Sequence, residues 1–316
     1  MSKKAKANLE DFGRDLTAEA REGKLDPVIG RKAEMDQVIL ILARKTKRNP
    51  ILLGEPGVGK TAVAEGLAHR IVEGTVPPHL RGKTLYSLSL GALLAGTGFR
   101  GDFEQRMQDL VDELKKPGAQ RLLFIDEIHL LGKAGRSEGG MDAANFLKPL
   151  LARGEMACMG ATTSLEWKEM IDRDPAMERR FMPVQVKEPS YEEAIEILRG
   201  LRPRFERHHG VQITDEALVM AVRVSMEQAP TRRLPDKAVD RLDEACARLQ
   251  LQQHAHGRAR SEADPRLGQL KTELDAAMDK FDLDQVAQLR YAAIPAASEA
   301  VSEAPVVDAA FMSSVV

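Results

Sequence analysis

The chain has 316 residues, enough for about two domains at roughly 150 residues each. Hydrophobic residues make up 43% and charged residues 30%, which allows a buried core and excludes a fibrous or wholly disordered chain. Lys plus Arg number 46 against 48 Asp plus Glu, so the formal net charge of −2 lacks the global basic field of a dedicated nucleic-acid binder.

Cys158 and Cys246 supply neither a disulfide framework nor a multi-cysteine metal site, and both sit among apolar neighbours. A reducing, cytoplasmic compartment is expected. The N-terminus carries lysines with no apolar run behind them, so no secretory signal is read there. No stretch approaches the ~20 apolar residues of a membrane helix.

Residues 1–25 read as an N-terminal extension. From about Ile51 to Val186, short apolar runs alternate with amphipathic segments. Strands are predicted at 51–53, 85–90, 122–125, 156–159 and 184–186. Between them Phe103, Met107, Leu110, Val111 and Leu114 recur at helical spacing. Such alternation implies an α/β domain over 26–189, with a mostly parallel sheet covered on both faces. Beyond Pro189 the strand signal disappears. Ser190 and Glu193 form a capping box, and Ala194, Ile195, Leu198 and Leu201 one apolar stripe. Helices near Thr214 and Pro235 complete a small all-helical domain over 190–252. In 253–316 a polar linker (254–260), a charged helix (266–290) and a poorly ordered tail rich in Ala, Ser, Pro and Glu are expected.

The chemistry concentrates at Gly54-Glu55-Pro56-Gly57-Val58-Gly59-Lys60-Thr61, a complete GxxxxGK[ST] between a predicted strand and a predicted helix. Glycines let successive amides curl toward one phosphate. Lys60 offers an ammonium to the β/γ oxygens, Thr61 a hydroxyl to Mg²⁺, and the helix N-terminus a favourable dipole. Downstream, four apolar residues run into Asp126-Glu127 at the carboxyl end of a strand, where an α/β sheet places ligands. Asp126 suits the Mg²⁺ shell, and Glu127 suits orienting or deprotonating the water that attacks a bound nucleotide. His208-His209 and the His254, His256 pair lack carboxylate or Cys partners at ligand spacing, which argues against zinc. His129 reads as a structural residue.

The chain resembles the AAA+ ATPases, and within them the first ATPase module of the Clp-family unfoldases and disaggregases (the ClpB, ClpC and ClpA group). The matching stretches are Lys24-Leu-Asp-Pro-Val-Ile-Gly-Arg31, the run from Asn49 to Thr61, Phe99-Arg-Gly-Asp-Phe103, Phe124-Ile-Asp-Glu-Ile-His129, Gly160-Ala-Thr-Thr163, Glu178-Arg-Arg-Phe181 and Leu234-Pro-Asp-Lys-Ala238, in family order over about residues 9–252. The resemblance implies an AAA+ large domain with a helical lid, and an adenine site around Asp26 to Gly30 that includes Val28 and Ile29. It makes Thr163 a γ-phosphate sensor; capping of the next helix fits the local sequence equally well. Arg179 and Arg180 become arginine fingers for a neighbouring subunit, although an Arg pair on its own reads as solvated surface. Gly98, Phe99 and Arg100 become a pore loop that grips polypeptide, with a second pore loop over 133–140.

The implied assembly is a homo-oligomer, hexameric in the family, that threads unfolded or aggregated protein without a membrane. Two alternatives stay open: a nucleotide-gated assembly module with little motor activity, and an AAA+ motor on nucleic acid, against which the balanced charge and the aromatic loop argue. Family members also carry an adaptor domain, a long middle domain and a second ATPase module. Residues 270–290 resemble only the end of a middle domain, so a fragment or an unusually short member is expected.

Overall fold

The computed structural model describes residues 12–315 apart from 91, 93–99, 115–120, 133–156, 264, 280–282 and 294–304. The chain divides into two compact units, 1–200 with 231–236 and 201–230 with 237–316.

The first unit is built on β1 (Gly13–Asp15), β2 (Asn49–Leu53), β3 (Thr84–Leu88), β4 (Arg121–Ile125), β5 (Ala157–Thr162) and β6 (Phe181–Gln185). The sheet runs β1-β3-β4-β5-β2-β6, and every pairing is parallel except that of β1 with β3. Helices α1 (Leu16–Arg21), α2 (Lys32–Leu42), α3 (Lys60–Val72), α4 (Arg100–Leu114), α5 (Ser164–Arg173) and the single turn α6 (Pro175–Glu178) flank it.

The alternation of side chains along each strand sorts the apolar residues into two cores. Ile51, Leu53, Leu123 and Ile125 face one way, onto Met107 and Leu110 of α4 and Trp167 of α5. Leu52, Leu122 and Phe124 face the other way, onto Val38 of α2 and Val63 and Leu67 of α3. All five residues of β2 are buried, as a central parallel strand covered on both faces requires. Trp167 meets Phe181 edge to face, with centroids 5.9 Å apart, and ties α5 to β6.

The second unit holds the end of α7 (Tyr191–His209), then β7 (Gln212–Ile213), α8 (Asp215–Gln228), most of α9 (Asp236–Ala263), α10 (Pro265–Asp279), α11 (Leu283–Gln288), a π-turn at Leu289–Ala293, β8 (Val306–Val307) and α12 (Ala309–Ser314). Three expectations are corrected here. The unit is not all-helical, because β7 pairs in parallel with β8. No linker begins at 254, because α9 continues as helix to Ala263.

The tail is the third correction, over 305–315. Gln212 N–H donates to Pro305 O at 2.8 Å and Thr214 N–H to Val307 O at 3.1 Å, which fixes two β-branched valines as a strand. Asp308 then caps α12 by accepting from Phe311 N–H at 2.7 Å. Helix α12 packs on α8, and Val307 and Met312 are fully buried. Apolar burial outweighs the polar composition that suggested disorder.

Candidate functional site

The phosphate-loop sequence leaves β2 at Leu53 and enters α3 at Lys60, at the carboxyl edge of the sheet. Gly57 and Gly59 have φ of +82° and +91°, left-handed backbone that L side chains resist. Gly59 is also the N-cap of α3, so the loop's curl and the helix start share one residue. A side chain at Gly57 would meet Asp236, whose Cβ lies 2.8 Å from the position a Cβ would take.

Within this cradle Lys60 Nζ donates to Gly54 O and Glu55 O, both at 3.0 Å. Burial lowers the Lys60 pKa, against the opposing fields of Asp126, Glu166, Glu55 and Glu127. Thr61 Oγ1 donates to Asp126 Oδ2 at 2.9 Å across 65 positions of sequence. Asp126 Oδ1 accepts from Glu127 N–H at 2.9 Å. Glu127 has φ of +48°, the left-handed region again, now with a full side chain. That backbone turns Glu127 away from its neighbour, so that Asp126 is half-buried and Glu127 exposed. A hydroxyl and a carboxylate within hydrogen-bond reach beside a curled amide loop are the donor set a magnesium-bound phosphate needs.

Thr163 stands at the end of β5. Its hydroxyl caps α5, accepting from Glu166 N–H at 3.2 Å, while Glu166 Oε2 accepts from Thr163 N–H at 3.1 Å, a full capping box. Arg179 is exposed and Arg180 half-buried, and both precede β6. Because β6 runs parallel to β2, the pair lies at the opposite edge of the sheet from the phosphate loop.

The profile of the "ATPase family associated with various cellular activities (AAA)" matches residues 50–187, and that of the AAA lid domain matches 190–293. ClpB of Rhizobium meliloti is 51% identical over 285 residues, covering 89% of this chain and 33% of that protein. ClpC of Staphylococcus saprophyticus is 50% identical over 282 residues, with 89% and 34% covered. The chain is an AAA+ module of the Clp family. Among solved structures, the S. cerevisiae Hsp104–ADP complex superposes with a TM-score of 0.75 at 36% identity, over 97% of this chain and 54% of that one. The chain spans about a third of the length of the curated relatives it matches.

In this Clp-family module Val28 and Ile29 lie against helices with glycine at the contact. Val28 Cγ1 is 3.3 Å from where a Cβ of Gly66 would stand, and Ile29 Cδ1 only 1.7 Å from that of Gly200. Gly98 and Phe99 fall outside the described residues, as do 133–140; Arg100 is the first residue of α4.

Four residues at the site have no role assigned by the sequence. Buried Arg31 donates through Nη2 to Val58 O at 2.6 Å and through Nη1 to Glu34 at 2.9 Å, which braces the phosphate loop from behind. Asp236 donates N–H to Gly57 O at 3.4 Å. Asn49 and Glu166 are the others. Only Glu166 was recoverable locally, from the T-x-x-E spacing after an apolar strand. Among the described residues no helix is long and apolar enough to cross a membrane, and no cluster of three or more His, Cys, Asp or Glu could hold a metal.

Proposed function

We propose that the chain binds and hydrolyses ATP with magnesium, as the ATPase module of a ring-forming, cytoplasmic protein unfoldase or disaggregase. The observation that carries this reading is the meeting of Thr61 and Asp126 at 2.9 Å beside the Gly57–Gly59 cradle. Amides of residues 57–61 cradle the phosphates and Lys60 neutralises β/γ charge. Thr61 and Asp126 would hold Mg²⁺, which supplies positive charge to the phosphate oxygens. Exposed Glu127 orients the attacking water and takes its proton. Val28 and Ile29 supply the apolar wall for adenine, and Thr163 senses the terminal phosphate.

Arg179 and Arg180 serve a second copy's site. A five-residue parallel strand, about 13 Å long, separates them from their own phosphate loop, which supports action in trans and hence a ring, a hexamer as in the family. Gly98, Phe99 and Arg100 contact the polypeptide. Support for unfolded or aggregated protein as substrate comes from two solved complexes of Hsp104 with casein, one of them from S. cerevisiae, 40–41% identical to this chain with a TM-score of 0.71. The test is phosphate release with and without unfolded casein. Wild type should hydrolyse ATP and Glu127→Gln should bind it without turnover. Equal hydrolysis in the two would remove Glu127 from the mechanism, and stimulation by single-stranded DNA instead of casein would reassign the substrate.

A further inference from the structure

Glu166 does more at the end of β5 than a helix cap requires. A capping box needs one carboxylate oxygen on one backbone amide. Here Glu166 Oε2 also accepts the hydroxyl protons of Thr163 and Thr162, each at 2.8 Å, and Oε1 faces His129 Nε2 at 3.3 Å. Burial alone would raise the Glu166 pKa. Bonds from Thr163 and Thr162 and the field of His129 outweigh it, so the group stays ionised below the usual carboxylate range. Its charge also reaches Lys60 in the phosphate loop.

Counting protons gives this cluster a function. A hydroxyl has a single proton, and that of Thr163 is committed to Glu166 while its oxygen accepts from Glu166 N–H. Thr163 can donate to a phosphate oxygen only by leaving the carboxylate. Thr162 draws on the same Oε2, and its oxygen also lies 3.0 Å from His129 Nδ1. A carboxylate only accepts, so the imidazole presents Nε2–H to Oε1, and Nδ1 on the other side of the ring shares the Thr162 hydroxyl with Glu166. Whatever the Thr162 proton does therefore alters how tightly Glu166 keeps Thr163.

We propose that Glu166 is a positioning residue for hydrolysis: its carboxylate holds the Thr163 hydroxyl in reserve, in competition with Thr162, and so sets how readily Thr163 turns to the terminal phosphate. This rests on the reading of Thr163 as the phosphate sensor.

The test is steady-state ATP hydrolysis by the full chain with KM and kcat separated, alongside binding of a fluorescent ATP analogue. Glu166→Gln keeps the side chain's shape and a capping-box acceptor but weakens a charge-assisted bond to a neutral one, so kcat rises about fivefold at unchanged KM. Thr163→Val lowers kcat and abolishes the response to Glu166→Gln in the double variant. Thr162→Val removes the competitor and lowers kcat about twofold by the same reasoning. An unchanged or lowered kcat in Glu166→Gln, the same response in the Thr163→Val background, or a raised kcat in Thr162→Val overturns the proposal. An unchanged kcat in Thr163→Val sinks the sensor reading itself. Because Thr162→Val leaves the capping box in place, the proposal stays exposed to refutation even if Glu166→Gln folds poorly.

Discussion

Asn49 Nδ2 donates to the carbonyl of Arg180 at 3.2 Å, and Asn49 Oδ1 accepts from Cys158 N–H at 3.0 Å. One buried amide thus ties β2 to the strand on either side and pins the backbone of the arginine pair where it enters β6. Asn49→Ala strands the buried N–H of Cys158, at about 1–3 kcal/mol for a buried group left unpaired, and frees the half-buried carbonyl of Arg180. It should lower the melting midpoint and, in the assembled protein, reduce hydrolysis in the same direction as Arg180→Ala. Asn49→Asp keeps the bond from Cys158 N–H but sets a carboxylate against the Arg180 carbonyl, and should be worse than Ala on both measures. Thermal denaturation with parallel phosphate-release assays checks this. Full activity in Asn49→Asp would separate the amide from the arginines.

Strain at Glu127 predicts a trade of stability against activity. Left-handed backbone costs an L-residue about 1–2 kcal/mol, which glycine escapes, though glycine gives back part of that through unfolded-chain entropy. Glu127→Gly should therefore melt higher, by about 0.5–1 kcal/mol net. Hydrolysis should fall by roughly 10²–10⁴-fold, the scale of losing a general base. Calorimetry and phosphate release on the same preparation decide it, and a lower melting point in the glycine variant would contradict the strain argument.

The lowered pKa of Lys60 gives nucleotide binding a pH dependence of definite sign. Burial disfavours the ammonium before ATP arrives, whereas a triphosphate favours it. Binding therefore takes up protons at alkaline pH, and affinity for ATP should begin to fall below the ordinary lysine value of 10.5. Titration calorimetry in buffers of different ionisation enthalpy should show proton uptake on the alkaline side, beginning below 10.5. Lys60→Met should abolish the uptake.

What the sequence made legible was chemistry carried by local spacing. The phosphate loop, the Asp126-Glu127 pair and the strand alternation each occupy fewer than about ten consecutive residues and obey fixed periods. Asn49 could not be read this way, because its partners Cys158 and Arg180 lie 109 and 131 positions away. Arg31 likewise reaches Val58 across 27 positions. The docked tail escaped notice because Val306-Val307 is a two-residue strand whose partner is nearly a hundred positions earlier. Composition was the only local cue, and it pointed the wrong way.

Contact between Ile29 and Gly200 predicts a defect confined to the base. A Cβ at 200 would lie 1.7 Å from Ile29 Cδ1, so Gly200→Ala must push the isoleucine off its seat. Overpacking of this kind costs about 1–3 kcal/mol. ATP affinity should drop about tenfold, while inorganic tripolyphosphate, which has no base, should bind as to wild type. Equal losses for both ligands would place Ile29 outside the adenine wall.

Docking of the C-terminal segment makes the second unit depend on residues 305–315. Met312 is fully buried on α12, so Met312→Ala should cost about 2–5 kcal/mol. Val306 is 47% exposed, and Val306→Thr should change stability by less than about 0.5 kcal/mol. The amides of Gln212 and Thr214, which donate to Pro305 O and Val307 O, should lose hydrogen-exchange protection in Met312→Ala. Amides of β2 and β4 belong to the other unit and should keep theirs. Unaltered protection at Gln212 and Thr214 would mean that the tail does not hold β7 in solution.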